Sequence, residues 1–360
     1  MEVSPFPFHG PLDPEQVVGR GAVVAELVEQ ITSRRPTALI APRRFGKTSV
    51  LRRVASDLAD SVTVIQVDLY EIRSWADLAA RIDAGLNAVT GESRSTLSNI
   101  AATFELNLGV VKAAITGRRR LDPDLTVDSL LDVIVTYASR APVVVVFDEF
   151  SSIDRVDGAA GLLRTKFQHH YQQIGLVFAG SEPSTMRLLF SDVEQPFFAQ
   201  ADIIELPGLD PATIREVVES GFDGSAPSAL ADRIAAFAGG HPQRTMQLAD
   251  AAWRAARSAD DDVDGAQLWE RALDAVRTAA ASGFEVRFAT TPTAHQAVLR
   301  LVAAGEPLHG RAAEALALSS SSADAARRAL VDHGQVLVDG AVASVVDPLY
   351  SDWLKGRFAL

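Results

Sequence analysis

The chain has 360 residues, a formal net charge of −12 and no cysteine. A chain of this length is too long for a single compact core and suits two or three domains. The absence of cysteine excludes disulfides and thiolate metal sites. The acidic balance disfavours a protein whose whole surface wraps nucleic acid, and no apolar run approaches the ~20 residues of a membrane span. Because the first residues also lack the features of a secretory signal, we expect a cytoplasmic protein.

The first half of the chain alternates between strand and helix patterns. Helical spacing of apolar residues predicts helices over 21–33, 75–89 and 127–138, and another that follows residue 48 and runs through 59. A further alternation at 104–110 predicts a strand in a hairpin insert that ends near Arg118, Arg119 and Arg120. Short apolar runs predict five strands, at 37–41, 62–67, 143–147, 174–179 and 203–206. The run at 143–147 is uniformly apolar, so both its faces must be covered, and the whole pattern indicates a doubly wound α/β domain with a parallel sheet.

The strand pattern stops after residue 207. Residues 211–285 read as alanine-rich helices, broken at 239–242 and at the acidic stretch 260–262. Three short helical patterns follow, and then an Asp-Gly pair between alternating apolar residues, which is typical of a tight hairpin. Three helices and a hairpin predict a winged helix-turn-helix, with the helices at 293–303, 311–317 and 323–333. We therefore predict three domains, at 1–206, 207–288 and 289–360.

A phosphate-binding loop is predicted between the first strand and the next helix. The segment 41–48 matches the pattern G-x-x-x-x-G-K-[ST] except that Ala41 replaces the first glycine. In this pattern the backbone curves around phosphate, Lys47 holds the β- and γ-phosphates, and the hydroxyl of Thr48 binds Mg²⁺. The alternative is a helix start with no ligand. The residues expected to contact a nucleotide here are Pro42, Arg43, Arg44, Phe45, Gly46, Lys47, Thr48 and Ser49.

Two acidic residues follow the most apolar strand. Carboxylates at the carboxyl end of a buried parallel strand project into the crevice where such sheets bind ligands. We expect Asp148 to hold magnesium through water and Glu149 to orient the attacking water, although two solvated acids would fit the same pattern. No Asn/Thr-Lys-x-Asp motif for reading guanine is present, which favours ATP over GTP.

Three further residues are weaker candidates. Ser181 follows the fourth strand, where it could sense the γ-phosphate or simply begin a turn. Arg244 could reach the phosphates, or it could be a solvated helical arginine. Arg187 is a candidate arginine finger acting on another subunit.

Taken in order, the motifs Val17-Val18-Gly19-Arg20, Arg43 to Thr48, Asp148-Glu149-Phe150, Phe178 to Ser181, Gly239 to Pro242 and Asp347-Pro348-Leu349 resemble the archaeal-type ATPase-domain family. This family is related to the STAND signalling ATPases and to the origin-recognition initiators within the AAA+ group.

The resemblance implies a parallel sheet of order 5-1-4-3-2, a helical lid and a C-terminal winged helix. It also implies that Lys47 and Thr48 are Walker A residues, that Asp148 and Glu149 are Walker B, and that Ser181 is sensor 1. Arg20 falls near the adenine side of the pocket, and His241 with Pro242 at a contact between the lid and the nucleotide. Ala41 and the lack of a clear arginine finger depart from the family pattern, and the second departure favours a slow switch over a ring motor.

Three functions remain open. The first is an ATP-controlled conformational switch with an unidentified protein partner. The second is an initiator-like DNA-binding protein that uses Arg327 and Arg328 of the winged helix. Residues 291–360 carry six basic and seven acidic side chains, so we favour a winged helix that packs or contacts protein. The third is an oligomeric remodeller, which would need an arginine donated between subunits; the oligomeric state itself is open.

Overall fold

A computed structural model describes residues 3–116, 121–227, 229–258, 264–340 and 342–358. The chain forms two compact units, which we call the sheet unit and the helical unit. The sheet unit consists of Arg20–Ala41 and Lys47–Leu206. The helical unit lies within Met1–Gly19, Pro42–Gly46 and Pro207–Leu360. Among the described residues, no helix combines the length and the apolar character needed to cross a membrane.

The sheet unit is built on five parallel strands in the order β2-β3-β4-β1-β5, which confirms the sheet order that the resemblance implies. Every residue of the central strand β3 is buried, as its uniformly apolar sequence requires. The strands are β1 (Thr37–Ile40), β2 (Thr63–Asp68), β3 (Val143–Asp148), β4 (Ile174–Gly180) and β5 (Asp202–Glu205).

Helices connect these strands along the chain. Those that follow β2 pack with the strands around one apolar core, and the two that precede β2 bury apolar side chains outside this core. They are α1 (Gly21–Thr32), α2 (Lys47–Leu58), α3 (Trp75–Ala88), α4 (Gly91–Thr103), α5 (Val111–Thr116), α6 (Pro123–Ala138), α7 (Ala159–Phe167) and α8 (Pro183–Ser191).

The strand predicted at 104–110 is wrong, because this segment is the connection between α4 and α5. The buried carboxylate of Asp83 on α3 accepts hydrogen bonds from the backbone of Gly109 at 2.8 Å and of Val111 at 3.3 Å. These bonds take up backbone donors that a strand would give to a neighbour. The alternating Leu106 and Leu108 are buried all the same, as loop side chains in the core. The arginines predicted to end the insert, at 118–120, lie outside the described residues.

The helical unit contains helices and one antiparallel hairpin of strands β6 (Val336–Asp339) and β7 (Val342–Val345). The hairpin and the three short helices before it were predicted. The helices are α9 (Pro211–Gly221), α10 (Leu230–Ala238), α11 (Pro242–Arg257), α12 (Gly265–Ala289), α13 (Thr293–Ala304), α14 (Arg311–Ala315), α15 (Ser320–Asp332) and α16 (Pro348–Arg357).

One apolar core runs through the helical unit from α9 to α16. The N-terminal segment belongs to the same core, since Phe6 is buried beside Phe222 with their ring centroids 5.9 Å apart. A division of this unit into a lid and a winged helix at residue 288 therefore stays a prediction. The acidic stretch at 260–262 lies outside the described residues.

Candidate functional site

The predicted phosphate loop joins β1 to α2, which begins at Lys47. The loop turns tightly: the amide of Phe45 donates to the carbonyl oxygen of Pro42 at 3.4 Å. Arg44 has a φ of 69° and Gly46 a φ of 92°, so both adopt the left-handed conformation. Alternation of right- and left-handed residues turns successive N–H groups toward one side, which produces a concave site for an anion. Gly46 is the one glycine that the loop needs for this conformation.

Ala41 does not need to be a glycine here. It is not among the residues of positive φ, its side chain is buried, and its amide continues the pairing of β1 with β4 by donating to Gly180 at 3.4 Å. Its carbonyl oxygen accepts a hydrogen bond from the ammonium of Lys47 at 3.3 Å. The departure from the glycine pattern is therefore accommodated without backbone strain.

Lys47 and Thr48 lie beside the acidic end of β3. Lys47 is only 5% exposed, and the hydroxyl of Thr48 donates to a carboxylate oxygen of Asp148 at 3.0 Å. Burial raises the pKa of Asp148, while the charge of Lys47 opposes this rise and that of Glu149 adds to it. A hydroxyl and a carboxylate held together are hard oxygen donors of the kind that Mg²⁺ prefers. These residues fit the predicted ion.

Glu149 is held in an unusual backbone conformation at the end of β3. Its φ is 53°, in the left-handed region that few residues other than glycine adopt. The next residue, Phe150, is fully buried against Phe178, with ring centroids 4.6 Å apart. The chain must therefore turn sharply at Glu149 to bury that ring. Such strain is found most often where a side chain has a function.

Ser181 contacts Glu149 directly. The serine follows β4, is 1% exposed, and its hydroxyl donates to the Glu149 carboxylate at 2.6 Å. The preceding Gly180 leaves room for Met186, since a Cβ there would lie 2.4 Å from the Met186 side chain. The sequence placed both residues near the reacting water, but it did not indicate that they bond to each other.

His241 meets the phosphate loop within the helical unit. Its ring lies edge-on to that of Phe45, with centroids 5.2 Å apart, and its Nδ1 accepts the amide of Arg244 at 3.4 Å, which caps α11. Burial lowers the pKa of His241 to about 4. The ring is thus neutral at pH 7, and an accepting Nδ1 leaves its proton on Nε2. Pro242 is the first residue of α11, where proline suits a helix.

Arg244 is bound by another part of the helical unit. Its guanidinium donates to both carboxylate oxygens of Asp347, at 2.8 and 2.6 Å, and also to Gln247. It is a buried residue rather than a solvated one. Its predicted contact with phosphate stays a prediction, and the sequence did not indicate Asp347 or Gln247 as its partners.

The remaining candidates lie on several elements. Arg20 precedes α1 and is buried, which lowers its pKa to about 10. Ser49 is buried in α2, and Arg43 is exposed in the loop. Arg187 pairs with Glu205 of β5 at 2.6 Å. On α15, Arg327 is half-buried and Arg328 is exposed.

Comparison with known proteins gave structural matches only: no family model and no curated protein matches the chain. The Walker-type ATPase paby2304 of Pyrococcus abyssi aligns with a TM-score of 0.74 and 18% identity, over 98% of this chain and 99% of that one. The ORC2 protein of Aeropyrum pernix, in ADPNP–ADP complexes, aligns with a TM-score of 0.59 and 14% identity, over 99% and 98%. The ORC1 protein of the same organism, in complex with DNA, aligns with a TM-score of 0.51 and 17% identity, over 94% and 93%. The chain therefore has the fold of archaeal Walker-type and origin-recognition ATPases, as the resemblance of its motifs implied.

Proposed function

We propose that this protein binds ATP with Mg²⁺ at the phosphate loop, hydrolyses the ATP slowly, and acts as a nucleotide-controlled conformational switch. One observation carries the proposal. Lys47, Thr48, Asp148, Glu149 and Ser181 come from separate stretches of sequence, and they meet where β1, β3 and β4 end at the same edge of the sheet. This edge is where parallel sheets flanked by helices bind ligands.

Each residue has a distinct task in binding. The backbone N–H groups of the loop and the start of α2 face the phosphates, and the ammonium of Lys47 exchanges its bond with the Ala41 carbonyl for phosphate oxygens. Thr48 and Asp148 would hold Mg²⁺. The ion would supply neutralisation of the charge that develops on the β- and γ-phosphate oxygens.

Glu149 and Ser181 serve the hydrolytic step. The Glu149 carboxylate accepts a hydrogen bond from the attacking water and orients it in line with the γ-phosphate. The Ser181 hydroxyl keeps that carboxylate aimed, through the 2.6 Å bond. Slow turnover is supported by the state of Arg187, which is paired with Glu205 of its own chain instead of being held ready for another subunit. Transition-state charge then lacks the arginine that accelerates related enzymes.

The test is ATP binding and turnover by the purified protein with magnesium. We expect Lys47→Ala to lose binding and Glu149→Gln to bind ATP without turnover. Lys112→Ala removes an exposed lysine of the same unit and is the control for the loss of a lysine side chain outside the loop. Glu71→Gln is the control for an acid of positive φ, 55°, beyond the end of β2. Wild-type protein that binds no nucleotide would identify the chain as a scaffold built on an ATPase fold.

A second candidate is DNA binding through the helical unit. It is favoured by the match to an ORC1 protein in complex with DNA and by Arg328, which is exposed on α15. The near-neutral charge of residues 291–360 argues against it, so we place a protein partner first. A salt-dependent shift of a labelled duplex, lost in the Arg327→Ala/Arg328→Ala variant, would reverse this order.

The third reading, an oligomeric remodeller, is tested by sedimentation with ATP. A strictly monomeric protein removes it.

A further inference from the structure

Two motifs that are far apart in the sequence meet in the helical unit. The segment Gly239-Gly240-His241-Pro242 leads into α11, and Asp347-Pro348-Leu349 begins α16. The proposed function gives no role to the second motif. Arg244 in the first turn of α11 joins them, because its guanidinium donates two bonds to the carboxylate of Asp347.

This ion pair is largely buried and directional. The side chains of Arg244 and Asp347 are 6% and 13% exposed. Two parallel N–H···O bonds fix the angle between the partners as well as their distance. The same carboxylate accepts the amides of Leu349 at 3.1 Å and Tyr350 at 3.4 Å, so it also caps α16. Asp347 therefore holds the start of one helix against the start of another.

The contacts continue from Arg244 to the phosphate loop. The backbone amide of Arg244 donates to Nδ1 of His241, and the His241 ring packs on Phe45. Phe45 lies between the two left-handed residues that shape the loop. An unbroken series of contacts within the helical unit thus runs from Asp347 through Arg244 and His241 to the loop.

We propose that Asp347 is a positioning residue for nucleotide binding. By holding Arg244, it fixes the first turn of α11, and so it keeps His241 against Phe45 and the phosphate loop in its binding conformation. A loop ordered in advance loses less conformational entropy when the ligand arrives. Because energetic coupling is reciprocal, nucleotide in the loop must also stabilise the start of α16. This inference rests on the proposed function, since it assumes that the loop binds ATP.

The chain provides a matched control on the same helix. Asp352 of α16 also accepts two bonds from an arginine, at 2.8 and 2.7 Å from Arg277. Arg277 belongs to α12 and its side chain is 48% exposed. The Asp352 pair therefore joins α16 to a different helix from α11, which His241 caps. Comparing the two aspartates tests whether nucleotide binding depends on the contacts that run from Asp347 to the loop, or only on the attachment of α16 to another helix.

The first experiment measures the Kd for Mg-ATP of wild type, Asp347→Asn and Asp352→Asn by calorimetry, with the melting temperature of each. We expect Asp347→Asn to raise the Kd by about fivefold or more, which is the lower end of measured coupling between sites. Asp352→Asn should leave it within about twofold of wild type. Equal Kd values for the two variants would overturn the inference.

A second experiment needs no variant, and it covers the case in which Asp347→Asn does not fold. Hydrogen exchange of the wild type is followed with and without Mg-ATP. We expect slower exchange both at the phosphate loop and at 348–357. Protection of the loop alone overturns the inference and leaves the proposed function standing. No protection at either segment overturns the proposed function, and the inference with it.

Discussion

Each unit contains a largely buried aspartate at one end of a secondary-structure element, and the fold shifts the pKa values of the two carboxyl groups in opposite directions. In the sheet unit, burial raises the pKa of Asp148, and the nearby charge of Lys47 does not offset this. In the helical unit, burial would also raise the pKa of Asp347, but the hydrogen bonds and the charge of Arg244 outweigh it and lower the pKa. The two aspartates differ because the chain supplies Asp347 with a hydrogen-bonded arginine and Asp148 only with the nearby charge of Lys47 and the hydroxyl of Thr48.

The difference separates a ligand site from a structural link. A buried carboxylate whose charge is balanced by an arginine of the same chain is part of the fold, and losing the partner is costly. The cost of burying the Asp148 carboxylate is less fully offset by its own chain, so a cation that binds beside it stabilises its charged form most. We therefore expect substitution of Asp148 to affect chemistry and substitution of Asp347 to affect stability and coupling.

The largest expected effect is on turnover by Asp148→Asn. Mg-dependent hydrolysis should fall about 10²–10³-fold, the range for losing one electrostatic contact to a transition state. The stability of the ligand-free protein should fall by less than about 0.5 kcal/mol, because a poorly compensated buried charge is removed. Phosphate release and urea unfolding measure the two quantities. A large loss of stability would contradict the comparison.

Asp347→Asn should show the opposite behaviour. We expect its helical unit to lose about 3 kcal/mol, because the Arg244 guanidinium stays buried without a full counter-charge. Asp352→Asn should cost less than about 1 kcal/mol, since Arg277 is largely solvated. Hydrogen exchange of α11 and α16 measures the loss in this unit, where a single global transition cannot be assumed. Similar losses of stability in both variants would contradict the distinction between the Asp347–Arg244 and Asp352–Arg277 pairs.

Lowering the pH should change the stability of the two units in opposite directions. His241 has a pKa of about 4 in the fold and 6.5 ordinarily, so between these values the unfolded chain binds a proton that the folded chain refuses. Stability of the helical unit is then lost as the pH falls from 6.5 toward 4, by up to about 3 kcal/mol.

The lowered pKa of Asp347 extends this loss below pH 3.8, its ordinary value. For Asp148 the folded pKa is raised above 3.8, so acid favours the folded sheet unit as the pH falls toward 3.8. Exchange corrected for intrinsic rates at pH 7 and pH 5 tests the helical unit. His241→Asn keeps a capping residue without a titrating ring, so the stability of the helical unit should then change less between pH 7 and pH 5. An unchanged pH dependence would show that a group other than His241 causes it.

The smallest expected effect is that of Ala41→Gly. Because Ala41 has no positive φ, restoring the glycine of the motif should change the Kd for ATP by less than about twofold, and it should cost about 0.5–1 kcal/mol through added backbone freedom. Calorimetry and thermal unfolding check both values. A marked gain in affinity would show that alanine weakens the loop.

Several elements followed directly from local sequence. The five strands were predicted within a residue or two, because apolar runs bounded by polar residues have few other ways to be buried. The pattern failed at 104–110, where alternation predicts a strand only if another strand lies beside it to accept its hydrogen bonds. In this fold Asp83 accepts them instead, and the local pattern holds no sign of that.

By itself, the sequence determined the strand, loop and helix at 37–58, the acidic end of β3 and the order of the elements, because each depends on residues that are close together in the chain. Only the tertiary structure decided which long-range partners meet. Ser181 bonds to Glu149, and Arg244 bonds to a carboxylate of α16 rather than to solvent. A side chain's partner depends on which segments pack together and on how completely water is excluded there. Neither can be read from the neighbours of a residue along the chain.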